Sequence, residues 1–183
     1  MRPLYCAVLL CLLLFASCNT ANKEINIVHT DADHATDAAD IKKAVDEAYA
    51  VISFKKGQQV NFDGIKKPFM PQAQLYNFRT DSLEVMNIDQ FADRYKEMLT
   101  GGAITSFYEE EIKGTTDQFG RIAQRISTYK TYINTMDSVA ERGVNSFQLV
   151  KTAAGWKVTS IIWDIESATM KIPVYYLNAD TSK

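Results

Sequence analysis

Two stretches near the C-terminus, Val144–Thr152 and Trp156–Ile165, are rich in β-branched and aromatic residues, with Ala153-Ala154-Gly155 between them. The pattern predicts a β-hairpin, because a short connection containing Gly admits φ > 0 where the chain reverses. Apolar residues fall on both parities of these runs. That predicts a sheet covered by helices on one side and by something else on the other. Far upstream, Ile41, Val45, Ala48, Tyr49 and Ile52 recur at spacings of three and four, opposite Lys42, Lys43, Asp46 and Glu47. This is an amphipathic helix of about four turns. Asp37 or Asp40 is placed to cap its start, and Gly57 closes it after Lys55-Lys56.

Between these landmarks the pattern alternates. A shorter helical element spans Val60–Lys67, before Pro68-Phe69-Met70-Pro71 forces an extended path. Gln72–Phe78 and Ser82–Ile88 predict strands joined by Arg79-Thr80-Asp81. Asp89 is placed to cap a helix whose stripe is Phe91, Tyr95, Met98 and Leu99, ended by Gly101-Gly102. Long strand runs follow at Ala103–Lys113 and Phe119–Ile133, separated by Gly114-Thr115-Thr116-Asp117. A polar loop, Asn134–Glu141, leads into the final hairpin, and Ile172–Leu177 predicts an edge strand. Helices segregated before a meander of four long strands mean one α+β domain.

Composition changes this picture only at the N-terminus. The chain has 183 residues, 46% hydrophobic and 23% charged, with a net charge of −2. That is ordinary for one soluble domain, and it lacks the concentrated basic patch that nucleic-acid binding requires. Arg2, the apolar run Leu4–Phe15 and Ala16-Ser17 form a secretory signal. The run is shorter than the ~20 apolar residues that span a bilayer. Cys6 and Cys11 lie inside the removed segment, so the mature chain keeps Cys18 alone and can form no internal disulfide. Leu14-Phe15-Ala16-Ser17-Cys18 resembles the lipobox of bacterial lipoproteins, with Phe15 where an aliphatic residue is usual. The resemblance implies that Cys18 is lipidated and anchors the chain in a membrane.

The expected organisation is a signal at 1–17, a lipidated Cys and flexible tether at 18–37, and a domain at 38–183. The expected location is the bacterial cell envelope, facing the periplasm or the cell surface. His29 and His34 sit in the tether among Asp31, Asp33 and Asp37. A metal site there would require a flexible acidic segment to lose much conformational entropy, so none is expected.

The order helix–helix–strand–strand–helix, followed by four long antiparallel strands, is similar to the nuclear transport factor 2-like (SnoaL-like) superfamily over about residues 38–166. Ala44–Phe54 matches its first helix, and Phe69-Met70-Pro71-Gln72-Ala73-Gln74-Leu75 leads into its first strand. Phe147-Gln148-Leu149-Val150, Gly155-Trp156-Lys157-Val158 and Trp163 match its last hairpin. The resemblance implies a cystatin-like cone, a curved antiparallel sheet wrapped around the long N-terminal helix with a pocket inside. The superfamily hosts ketosteroid isomerase, scytalone dehydratase, polyketide cyclases, dioxygenase small subunits and transport factors, so activity has to be read from the site.

The pocket candidates are Tyr49, Tyr76, Phe107, Tyr129, Gln148, Ser160 and Ile162. Tyr49 suits either a donor to an enolate oxygen or a plain core aromatic. Ser160 and Ile162 stand where superfamily members often carry ionisable groups, and residues 38–183 contain no histidine. Asp63 and Asp164 are the acids weighed as a base. In Glu109-Glu110-Glu111 only the outer two can share a face; they are read as exposed, pairing with Arg121 or Arg125. No phosphate loop, Ser-His-Asp set, Cys-x-x-Cys pair or zinc spacing occurs in the mature chain, and no cofactor is expected.

These features favour non-catalytic binding of a small apolar ligand or a partner protein, with a homodimer through the sheet face as a further expectation. The alternative is an isomerase, cyclase or dehydratase working in the cone pocket. A carboxylate with a raised pKa within ~3 Å of a donor inside the cavity separates the two.

Overall fold

The computed structural model describes residues 34–177 other than Asp81. The signal segment, Cys18 and His29 lie outside the described residues. Helix α1 (His34–Ala50) leads to strands β1 (Phe69–Asn77) and β2 (Glu84–Asn87), then helix α2 (Ile88–Thr100). Four long strands follow: β3 (Phe107–Phe119), β4 (Ile122–Ile133), β5 (Glu141–Thr152) and β6 (Gly155–Ile165). They form one curved, unclosed sheet in the order β2-β1-β6-β5-β4-β3. All neighbours are antiparallel except β1 and β6, which run parallel. The fold is α+β, as the pattern predicts.

The sheet's concave face packs on α1. Phe147, Leu149, Trp156, Val158 and Ile161 meet Ile41, Val45, Ala48 and Tyr49 in a single core. Register shifts on β1, β3 and β6 set which residues reach that face. Ile112 has no partner between Glu111 and Lys113 on β3, and Thr159 has none on β6. Each extra residue reverses the in–out parity on one side of it.

Several local expectations are corrected. Helix α1 begins at His34, so Asp37 lies inside its first turn, where it is 1% exposed rather than capping from solvent. Lys151 Nζ, Gln118 Nε2 and Trp156 Nε1 all donate to its carboxylate, at 2.5, 3.0 and 3.2 Å. The Val60–Lys67 element shrinks to a 3-10 turn at Phe62–Gly64, with Asn61 accepting from the Gly64 N–H. Helix α2 is capped by Asn87 in a reciprocal pairing with Gln90; Asp89 instead pairs with Lys66.

Strand β3 does not break at Gly114-Thr115-Thr116-Asp117. The two threonines pair with Ile126 and Arg125, and the chain turns at Gly120, where φ is 55°. Ile172–Leu177 is not a strand. Pro173 has no N–H for a ladder, and the segment forms a 3-10 turn at Val174–Tyr176. Lys113 Nζ and Thr128 Oγ1 donate to the carbonyls of Tyr175 and Tyr176, which lays this turn over the convex face.

Candidate functional site

A cavity of about 170 Å³ opens between the C-terminal half of α1, helix α2 and the concave face. Its walls are aromatic and edge-packed: Phe91 against Trp163 at 6.5 Å between centroids, Tyr95 against Phe107 at 6.0 Å, Tyr49 against Phe147 at 5.9 Å. Such an apolar lining raises the cost of charge within it.

Two carboxylates nevertheless enter the cavity. Glu109, on β3, accepts from the Thr131 hydroxyl at 2.7 Å. Burial pushes its pKa up to about 7, the Thr131 hydrogen bond opposing and the negative charge of Glu141 adding to the rise. Glu141, at the start of β5, accepts from the Tyr129 hydroxyl at 3.0 Å and from both ends of the Arg79 guanidinium at 3.2 and 2.8 Å. Arg79 places a positive charge at the edge of the cavity. Burial and Glu141 raise the Tyr129 pKa far above its usual value, so this tyrosine stays a neutral donor.

Beneath the cavity runs a second polar chain. Asn145 Nδ2 donates to the Tyr49 hydroxyl at 2.8 Å, which lies 2.7 Å from Ser127 Oγ. Ser127 in turn bonds Glu111, which is paired twice to Arg125, at 2.5 and 2.8 Å. Burial alone would raise the Glu111 pKa, but the hydrogen bonds and charge of Arg125, with Ser127, outweigh it and hold it below the usual carboxylate range. Glu109 and Glu111 share one strand face and are driven in opposite directions. That divergence is how one scaffold assigns different protonation roles to two acids.

No protein-family model and no curated protein matches the sequence. Solved structures do match. A protein of unknown function with a cystatin-like fold from Nostoc punctiforme superposes with a TM-score of 0.59 at 11% identity, over 73% of this chain and 94% of that one. A nuclear transport factor 2-like protein of unknown function from Shewanella baltica gives 0.52 at 15% identity, over 75% and 100%. A dehydratase candidate of the same family from Streptomyces avermitilis gives 0.57 at 13% identity, over 74% and 99%. The fold is nuclear transport factor 2-like.

Within this nuclear transport factor 2-like cone, Tyr49, Phe107 and Tyr129 line the cavity. The Tyr49 hydroxyl is already engaged by Ser127 and Asn145, which makes it part of the floor. Tyr76, Gln148, Ser160 and Ile162 stand on the opposite, convex parity: Gln148 pairs with Ser160, and Tyr76 with Ile162. The inward positions of β6 that line the cavity are Ile161 and Trp163. A period-two pattern offers two parities, and these four candidates belong to the convex one. Asp63 is exposed and Asp164 half-buried, its Oδ1 accepting from the Ile165 N–H; neither lines the cavity.

The pair expected on an exposed face, Glu109 and Glu111, lies on the inner one, because β3 curls over α1. Arg125 is Glu111's partner, inside the protein: the two side chains are 9% and 5% exposed. Sequence reasoning misses Glu109, Thr131, Glu141, Arg79, Phe91 and Trp163 as cavity residues. One signal is present: Glu109 shares parity with the candidate Phe107, and Trp163 with Ile161 and the signature Phe147. Arg79 comes from a turn, for which no periodicity exists. Among the described residues no His, Cys, Asp and Glu cluster is arranged to hold a metal ion.

Proposed function

We propose that the cavity binds a small, mostly apolar molecule bearing a carbonyl or hydroxyl oxygen, and that Glu109 exchanges a proton with it, as an isomerase, dehydratase or cyclase does. One observation carries this reading: the Glu109 carboxyl lies 2.7 Å from the Thr131 hydroxyl, on the wall of an aromatic cavity, with a pKa of about 7. A carboxyl group titrating there is present in both forms at neutral pH, so it can take a proton from an acidified C–H and return it. Thr131 fixes its orientation. Arg79, its charge offset by the Glu141 carboxylate that it pairs, is an N–H donor at the cavity edge. The cavity is below the ~300–1,000 Å³ of drug-sized pockets, so the ligand is small. The dehydratase candidate from Streptomyces avermitilis has the same fold, which supports this class of chemistry without specifying a substrate.

The test begins with a thermal-shift panel of small cyclic ketones, phenols and lactones. Ketones that raise the melting temperature are then followed by NMR for exchange of their α-hydrogens in D₂O. Exchange that rises with pH through about 7 and disappears in Glu109→Gln supports the reading. Binding without exchange returns the protein to a non-catalytic binding role, and no binding from any class sinks both.

We further read the chain as tethered to a bacterial envelope membrane through Cys18, on the lipobox-like segment ending there. Cys18→Ala should move the protein from the membrane fraction to the soluble one. Its persistence in the membrane fraction would contradict the anchor.

A further inference from the structure

We propose that the end of the domain carrying the β3–β4 and β5–β6 turns rests on the lipid surface, with Phe119 and Ile122 entering the headgroup–acyl boundary. The inference rests on the Cys18 anchor proposed above. Phe119 is the most exposed of the large apolar side chains among the described residues, at 84%, and Ile122, its cross-strand partner, is 59% exposed. They flank a turn, Gly120-Arg121, where polar residues would serve the fold as well. Their row continues across the convex face through Val150 to Lys157.

What seats there is indicated by where the chain leaves the domain. Asp37, in the first turn of α1, is bonded to Gln118, Lys151 and Trp156. Gln118 also donates to the Gly120 carbonyl at 3.0 Å, so the start of α1 is fastened beside the Phe119 turn. The segment from Cys18 to His34 therefore joins the domain at this end, and it can reach at most about 60 Å. Basic groups adjoin the apolar pair: Arg121 sits in the turn, and Lys157, on the same row, donates through Nζ to the Lys67 carbonyl at 2.7 Å. Acids are also near in sequence, Asp117 on β3, Asp40 on α1, and Asp31 and Asp33 ahead of α1, so the contact rests on the exposed apolar pair and the anchored chain end rather than on net charge.

The same arrangement aims the cavity away from the bilayer. Its lining comes from the opposite ends of these elements: Ile52 just after α1, Phe107 beginning β3, Ile133 ending β4 and Glu141 beginning β5.

The experiment uses the full lipidated protein in vesicles of phosphatidylethanolamine and phosphatidylglycerol. Phe119→Cys and, separately, Val139→Cys at the far end are labelled with an environment-sensitive fluorophore. Cys18 is consumed by the lipid and the mature chain has no other cysteine, so labelling is specific. Lipids carrying a nitroxide quencher should quench the label at 119 several-fold more strongly than at 139. Equal quenching, or stronger quenching at 139, overturns the proposal. So does a label at 119 that is shielded without quenching and in proportion to protein density, which would seat a second copy there. Failure of the anchor itself appears separately, as wild-type protein recovered in the soluble fraction, and the orientation falls with it.

Discussion

Gly143 on β5 lies directly opposite Tyr129 on β4, and a Cβ at position 143 would come within 2.6 Å of the Tyr129 hydroxyl and 2.5 Å of the Asp164 carbonyl. The missing side chain is the room in which the Tyr129 ring reaches Glu141. Gly143→Ala should force that ring outward, loosen its hydrogen bond and cost about 1–3 kcal/mol in urea denaturation, as overpacking does. An unchanged unfolding midpoint would show that the sheet yields instead.

Glu109 makes stability depend on pH with an unusual sign. Its pKa rises from an unfolded value of about 4.3 to about 7 in the fold. Between those limits the folded state binds more protons than the unfolded chain, so this group's contribution falls as pH rises. Glu109→Gln removes the dependence. The variant should match the wild type near pH 4 and exceed it by roughly 3–4 kcal/mol at pH 8, since each tenfold difference in proton affinity is worth about 1.36 kcal/mol. A constant offset at every pH, in denaturant melts, would place the titration on another group.

Asp37 should behave in the opposite way. Burial would raise its pKa, but the hydrogen bonds from Lys151, Gln118 and Trp156, together with the Lys151 charge, hold it below the usual value. Its stabilisation is present above the unfolded pKa near ~3.9 and is lost as pH falls through the lower folded value. Asp37→Ala leaves Lys151 and the Trp156 Nε1–H without this partner, at a cost of about 3–5 kcal/mol. The acid limb of its stability profile, followed by circular dichroism below about pH 4, where the unfolded carboxyl titrates, should be flatter than that of the wild type. A limb of unchanged slope would count against the assignment.

Tyr49→Phe tests whether this tyrosine is a strut of the floor. Asn145 and Ser127 both contact its hydroxyl in the buried core. Leaving the Asn145 amide without this acceptor, while Ser127 keeps Glu111, should cost about 1–3 kcal/mol. A neutral substitution would mean that the two groups re-pair with each other or with water.

Helix α1, the aromatic stripe of α2 and the final hairpin are legible in the sequence because each has many apolar positions at one period, so a single ambiguous residue does not decide them. The ends of elements are harder. Asn87 and Asp89 are both good caps by type, and Gln90, which completes the pairing, selects the first. The candidate site is the least legible part. Glu109 is one of three consecutive acids, and its shared parity with Phe107 does not by itself say which parity faces α1. That is decided by the pairing of β3 with β4, a long-range fact. Tyr129 and Phe107 are reachable as aromatics on strands, whereas Arg79 joins Glu141 from 62 positions away.

The unpaired Ile112 has a consequence for how such a site can change. Residues 107–111 and 113–119 present opposite parities to α1, and only the extra residue between them lets Glu109 and Glu111 share the inner face with Thr116 and Gln118. Removing Ile112 would turn one half of the strand over: either Glu109 goes out to solvent or the groups that hold Arg125 and Asp37 do. The identity of the acid in the cavity is therefore controlled by chain length as much as by residue type. Related chains with a one-residue gap at this point would be expected to carry their cavity acid at the adjacent position, where a substitution-by-substitution comparison would overlook it.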